Sequence, residues 1–284
     1  MNVLSLFDGM SCGQIALNRA GIKYDKYFAS EIKPHAIETT QINYPNTIQL
    51  GDVTKIKASD LPKIDLLIGG SPCQDFSVAN KERKGLNGVK SSLFFEWYRL
   101  LQELKPKYFL LENVQMKEKD FNFITNLLQI YPLNIDSSLV SGAFRNRYYW
   151  TNIGIIEKDM FGFSYNKTPK PKDKNILLQS ILDYGYTNLK KARSLNTKAG
   201  ISENSQDKFY KRFTTTGMVT AIFNSPDFDY KKGIRHFTHN ELEKLQTIPL
   251  GYTKHLTKNK AWNLIGDGWT VDVITHIFSY LERF

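Results

Sequence analysis

The sequence predicts an α/β protein: an open, mostly parallel sheet with helices on both faces. Three observations predict it. Short apolar runs bounded by turn residues recur through residues 1–155, as strands buried on both faces require. Stretches of helical periodicity lie between them, and this alternation is the pattern of βαβ units. The chain has 284 residues, of which 41% are hydrophobic, enough for one large core or one core with a small appended domain.

Taken in order, the expected strands are Asn2–Phe7 (NVLSLF), Tyr27–Glu31 (YFASE), Thr47–Val53 (TIQLGDV), Ile64–Ile68 (IDLLI) and Tyr108–Glu112 (YFLLE). Helical patterns occupy Cys12–Ala20, Pro34–Asn43 and Ser91–Leu104. In the last, Leu93, Trp97, Leu100, Leu101 and Leu104 share one face. The tail from His239 reads as helix (NELEKLQT), turn (IPLGY) and further helix, ending in TVDVITHIFSYLERF.

Composition narrows the class. No apolar run reaches membrane-spanning length, and MNVLSLFDGM lacks a basic leader region and carries an aspartate, so a signal peptide is not expected. The 2 cysteines make no disulfide framework, and no Cys/His group has zinc-ligand spacing. A reducing, cytoplasmic setting without a metal is therefore expected. The net charge of +10 favours a polyanionic partner. Much of it is concentrated between Glu157 and Arg235, with 15 Lys+Arg against 8 Asp+Glu in a polar stretch short of regular periodicity. The expected organisation is a domain over 1–156, a small basic module over 157–235, and a segment 236–284 returning to the first domain.

Ligands of open parallel sheets bind beyond the carboxyl ends of the strands. Those positions read Phe7-Asp8-Gly9, Glu31, Asp52, Ser71-Pro72-Cys73 and Glu112-Asn113. FDGMSCG lacks the spacing of a dinucleotide turn, yet Gly9 and Gly13 let backbone approach a ligand closely. Glu31 stands where a carboxylate holds ribose hydroxyls, and Asp52 where one accepts from an adenine amino group. Together they describe an adenosine-bearing cofactor without a pyrophosphate, which fits S-adenosyl-L-methionine. Taken singly, each is equally an ordinary acidic strand end.

LFDGMSCG, GGSPCQDFS, LLENV and FRNRYYWTNIG follow the order and spacing found in the DNA cytosine-5 methyltransferases, and the chain resembles that family over most of 1–155 and 235–284. The stretch through YFLLENV and the late WTVDVITHIF are most similar to its animal de novo branch. The resemblance implies a Rossmann-like class I S-adenosylmethionine-dependent methyltransferase sheet with a small, largely irregular target-recognition domain. It implies catalytic residues Cys73, Glu112, Arg145 and Arg147. It implies a cofactor set of Phe7, Asp8, Gly9, Ser11, Cys12, Glu31, Asp52, Val53, Pro72 and Trp269. Double-stranded DNA is the implied partner, a monomer is favoured, and membrane association is not expected. The usual Gly-Asn-Ser of the tail is replaced by Gly266-Asp267-Gly268, and Ser11-Cys12 stands where many bacterial relatives have Gly-Gly.

The chemistry explains the residue types. Cytosine C5 becomes nucleophilic once a thiolate adds to C6, so the reaction needs a cysteine in an electropositive, accessible setting. Cys73 meets this, followed by Lys81, Arg83, Lys84 and Lys90 on a loop expected to close on DNA. A carboxyl at Glu112 can give N3 the proton that the addition demands. Arg145 and Arg147, in FRNRYYW, are expected to alternate onto the same side of an incipient strand, and the resemblance implies that Arg147 contacts cytosine O2 and that Arg145 supports the site or a phosphate. The base must leave the duplex, and phosphate contacts from 157–235 offset that cost. Arg193, Asn196, Lys208, Arg212, Thr214–Thr216 and Asn224 are all candidates to read bases. Two alternatives stand beside this reading: a tRNA cytosine-5 methyltransferase of the same fold, whose Cys-Phe-Thr signature has no counterpart here, and a silent DNA-binding relative.

Overall fold

Val3, Leu4 and Leu6, Leu66 to Ile68, and Leu110 with Leu111 are fully buried, and these runs form the centre of a parallel sheet. A computed structural model describes residues 1–71, 92–195, 205–217 and 219–282. The chain forms two compact units: Met1–Ile135 with Asn146–Lys170 and Ile274–Phe284, and Asp136–Arg145 with Pro171–Val273.

In the first unit the elements run β1 (Asn2–Leu6), α1 (Cys12–Arg19), β2 (Lys26–Ser30), α2 (Pro34–Asn43), β3 (Ile48–Gln49), β4 (Leu66–Gly70), α3 (Ser92–Leu104), β5 (Tyr108–Val114) and α4 (Glu118–Leu128). They continue through β6 (Ile130–Tyr131), β7 (Leu133–Asp136), β8 (Asn146–Thr151), β9 (Ile156–Lys158) and β10 (Ser164–Asn166). The main sheet has the order β3-β2-β1-β4-β5-β8-β7, and β6, β10 and β9 form a small second sheet. Strands β1 to β5 pair in parallel, whereas β8 runs antiparallel to β5. Strand order reverses between β1 and β4, so the crevice at their carboxyl ends is the place where such a sheet binds ligands.

Packing sets the faces. Phe94, Trp97 and Leu100 of α3 are fully buried in a core with Leu4, Leu6, Leu67 and Leu111. Each such side chain contributes roughly 1.5–3 kcal/mol by leaving water. Tyr148 and Trp150 of β8 pack against Phe121 of α4, and the Trp150 indole donates to Thr125 at 3.1 Å. Side chains alternate along a strand, so this aromatic anchor turns Arg147 and Tyr149 to the opposite face.

The expected third strand is shorter than the sequence implies. Only Ile48–Gln49 pair, because Gly51 takes φ +73° and Asp52 then caps a short 3₁₀ turn over Val53–Lys55. β4 lies two residues later than expected, ending at Gly70.

The second unit holds α5 (Leu178–Ile181), α6 (Gln206–Thr215), β11 (Ile222–Phe223), β12 (Ile234–Arg235), α7 (His239–Leu245) and α8 (Lys258–Asp267). The last helix, α9 (Val271–Phe278), spans the boundary between units. This unit begins and ends elsewhere than the basic stretch 157–235. Residues 156–166 form the β9–β10 hairpin of the first unit, while 136–145 and most of the tail belong with the second. Long-range hydrogen bonds account for the latter: Ser141 donates to the Leu245 carbonyl at 2.5 Å, and Arg145 to the Gly266 carbonyl at 3.1 Å. At its centre, fully buried Glu241 caps α7 from inside and takes a bidentate pair from Arg235, both contacts at 2.8 Å. Among the described residues, no helix is long and apolar enough to cross a membrane.

Candidate active site

The loop after β1 is conformationally unusual. Phe7, Gly9 and Ser11 take φ of 57°, 59° and 61°, so three of five consecutive residues are left-handed and two of those are not glycine. Residues in such conformations persist where their surroundings over-determine them, and they cluster at ligand sites. The turn is pinned from β2: the Asp8 N–H donates to the Ser30 carbonyl at 3.0 Å, and the Gly9 N–H to Glu31 Oε2 at 2.9 Å. Glu31 Oε1 accepts from the N–H groups of Ile32 and Lys33 at 2.8 and 2.9 Å. The carboxylate is therefore fixed by three backbone donors.

Other members of the expected cofactor set fall into two groups. Asp8 points inward, accepting from Ser11 Oγ and from the Tyr27 hydroxyl. The residue keeps some exposure, but its carboxyl is enclosed by protein, and that burial pushes its pKa up. Cys12 is buried at the start of α1, and Val53 is part of the core. Neither presents a polar group outward. Asp52 remains accessible, with Oδ1 taking the Thr54 N–H at 3.0 Å and its hydroxyl at 2.9 Å; these hydrogen bonds, the backbone one foremost, lower its pKa. Sequence reasoning passed over Ile32, a large apolar side chain 70% exposed directly after Glu31. Its signal was an isoleucine standing beyond a strand-end acid.

The second half of the site is built on β4, β5 and β8. Ser71, the residue after β4, is buried and accepts from Asn113 Nδ2 at 3.1 Å. Pro72, Cys73 and the loop that follows lie outside the described residues. Register places Glu112 opposite Tyr149 and Val114 opposite Arg147, so Glu112 and Arg147 share the face away from α4. Arg147 Nε lies 3.0 Å from Glu112 Oε1, with their side chains 16% and 11% exposed. This is a close ion pair without the angle of a hydrogen bond.

Arg145 is placed differently from expectation. The strand begins at Asn146, so Arg145 does not alternate with Arg147 but precedes it, in the second unit. Its guanidinium is buried on the Gly266 carbonyl. Trp269 also belongs to the second unit and is half-buried. Beside it, Gln246 accepts from Thr270 and donates to the Ile265 carbonyl at 3.2 Å, bracketing Gly266-Asp267-Gly268 from inside.

The base-reading candidates divide in the same way. Arg193 donates to the carbonyls of Phe213 and Val219 at 2.5 and 2.8 Å and lies 4.8 Å over the Phe213 ring, so its charge is satisfied inside the unit. The hydroxyls of Thr214, Thr215 and Thr216 donate back to helix carbonyls of Tyr210, Lys211 and Arg212. Lys208 and Asn224 are exposed, as are Lys211, Lys231 and Lys232 nearby in sequence, and Asn196 lies outside the described residues.

The strained turn with its pinned acid lies on one side of the strand-order reversal and the Glu112–Arg147 pair on the other. The chain belongs to the C-5 cytosine-specific DNA methylase family, whose sequence profile matches residues 1–131 and 142–283. It is 42% identical over 196 residues to the type II methyltransferase M.NgoBV of Neisseria gonorrhoeae, covering 61% of this chain and 45% of that one. It is 27% identical over 296 residues to M1.ScrFI of Lactococcus lactis subsp. cremoris, covering 96% of this chain and 75% of that one. Against four curated relatives of Bacillus phages and Neisseria, the chain spans between 30% and 45% of their length. Its fold is that of a Spodoptera frugiperda DNMT2 mutant (TM-score 0.70, 16% identity, 98% of each chain). The Entamoeba histolytica methyltransferase EhMeth has the same fold (TM-score 0.69, 19% identity, 99% of this chain and 97% of that one).

Proposed function

We propose that this chain transfers a methyl group from S-adenosyl-L-methionine to C5 of a cytosine extruded from duplex DNA. The observation that carries the reading is the Glu112–Arg147 pair, two opposite charges held on one face of β5 and β8. When bound, S-adenosyl-L-methionine supplies an electrophilic methyl on its sulfonium. The residues fit it: Glu31 is immobilised by three N–H groups and Ile32 beside it is exposed; Glu31 would hold the ribose hydroxyls, Asp52 the adenine amino group, and Ile32 would offer the ring an apolar surface. Asp8 serves the turn from behind.

Cys73, as thiolate, adds to C6. As the base enters, Arg147 turns to O2, and Glu112, released from the pair, takes up a proton from solvent, gives it to N3 and accepts from the exocyclic amine. After methylation the C5 proton passes to solvent, the Cys73 sulfur leaves as thiolate, and N3 returns its proton to Glu112, which restores the ring. Arg145 acts through the Gly266 carbonyl as a support. The basic stretch 157–235 holds the DNA backbone, offsetting a base-extrusion cost of roughly a few kcal/mol. The enzyme works in the cytoplasm.

The test uses the whole chain with methyl-labelled cofactor and, in parallel, duplex DNA, tRNA, and duplex DNA carrying 5-fluorocytosine. Expected are label on DNA as 5-methylcytosine and a covalent adduct through Cys73 on the fluorinated duplex. Label on tRNA alone supports the RNA alternative, and no label with no adduct overturns the enzyme reading.

A further inference from the structure

We infer that Tyr27 is a positioning residue for the cofactor turn and acts through Asp8. The inference rests on the proposed reading of residues 7–11 as the turn that receives S-adenosyl-L-methionine, and it concerns what holds that turn in shape.

The left-handed residues Phe7, Gly9 and Ser11 cannot hold their conformation by themselves. Two backbone hydrogen bonds to β2 tie the turn at Asp8 and Gly9. The Asp8 carboxyl supplies a further tie, reaching across the turn to Ser11 Oγ and down to the Tyr27 hydroxyl at 2.8 Å. Ser11 Oγ in turn accepts from Gln14 Nε2 at 3.1 Å and Thr40 Oγ1 at 3.2 Å. Gln14 is linked onward to Thr47 at 2.8 Å and to the Tyr24 hydroxyl at 2.9 Å. The network therefore starts on β2, passes through Asp8, and reaches α1, α2 and the chain before β3.

The chain makes room for this phenol by giving up a side chain elsewhere. A Cβ at Gly13 would lie 2.7 Å from the Tyr27 hydroxyl and 2.5 Å from Ile68 Cδ1, so α1 must carry glycine in its first turn. Tyr27 is 2% exposed, and phenylalanine would fill the same site without a hydroxyl to satisfy. Burial pushes both the Asp8 carboxyl and the Tyr27 phenol up, with Glu31 and Tyr24 the other titratable groups facing them. The hydroxyl kept under such conditions fixes Asp8, directly and through Ser5, whose side chain is hydrogen-bonded to both.

The experiment compares the full chain with Tyr27→Phe, Asp8→Asn and the double variant, with Tyr165→Phe as control because that phenol serves Glu157 on the β9–β10 hairpin. Calorimetric titration with S-adenosyl-L-methionine and with its demethylated product needs no turnover. Tyr27→Phe is expected to raise the cofactor Kd and KM roughly tenfold, the loss of one hydrogen bond to a charged group. The change falls on KM, with kcat at saturating cofactor within about twofold. The double variant is expected to match the weaker single one, because Tyr27 works through Asp8. Unchanged affinity in Tyr27→Phe, or fold-changes that multiply in the double variant, overturns the proposal while leaving the methyltransferase reading intact. If Tyr27→Phe does not fold, Ser11→Ala, which cuts the same network above Asp8, is expected to show the same split, and native affinity there overturns it. A wild-type chain that binds neither cofactor form removes the reading of residues 7–11 and this proposal with it.

Discussion

Arg147 Nε stands 3.0 Å from Glu112 Oε1 across the antiparallel pair β5–β8. Neither side chain could reach the other from the wrong register, since a slip of one residue would send Arg147 to the aromatic face against α4. The pair is nearly buried, so removing one partner strands the other. Arg147→Ala is expected to lower stability by about 2–3 kcal/mol, less than a wholly enclosed pair loses because both side chains keep some exposure. Urea denaturation measures this. Glu112→Gln keeps the shape and is expected to reduce kcat by roughly 10²–10⁴, the range of a lost proton-transfer group.

Arg193 is expected to behave as a structural cation. Its guanidinium joins the end of α6 to the chain that leads into β11, through Phe213 and Val219. Arg193→Ala should cost about 2–3 kcal/mol, as charged hydrogen bonds to carbonyls do, without changing which DNA sequence is modified. A shifted denaturation midpoint with an unaltered modification pattern is the expected result.

DNA affinity is expected to depend on the exposed lysines of the second unit. Replacing Lys208, Lys211 and Lys231 with glutamine should weaken binding and flatten the plot of log K against log salt by about 0.9 for each phosphate no longer neutralised. An unchanged slope would move the DNA surface elsewhere.

Alkaline unfolding should be cooperative with phenol ionisation. Burial raises the pKa of Tyr24 and Tyr27, and pushes Tyr44 up to about 12. Unfolded phenols titrate near 10, so the folded state holds these protons longer. The stability they provide is full below pH 10 and is lost as pH rises through about 12. Phenolate absorbance should therefore show a step coincident with loss of helical signal, and a smooth titration before unfolding would contradict the burial of this cluster.

Much of the first unit was legible because strand and helix periodicity are local. NVLSL, KYFAS and YFLLENV became β1, β2 and β5; Glu31 stands directly after β2 as expected, while β5 runs two residues past Glu112 because Asn113 and Val114 pair with β8. Asp52 sits at the foot of a 3₁₀ turn instead of ending a strand, since Gly51 breaks the run first. Arg145 was misplaced for a related reason: alternation assigns a face only inside a strand, and β8 starts one residue later. The hairpin at 156–166 escaped notice because charged and polar residues dominate it.

The sequence by itself determined the class of fold, the order of the motifs and the chemical kinds of residue at the strand ends, because short-range patterning and residue type are written along the chain. Tertiary structure alone decided direction: Asp8 turned inward to Tyr27, Arg147 turned toward Glu112, and Arg193 enclosed by α6. The physical reason is that a side chain's partner is chosen by register and by which face the core occupies. Both arise from pairings between residues 19 to 35 positions apart in these three cases, beyond the reach of any local pattern.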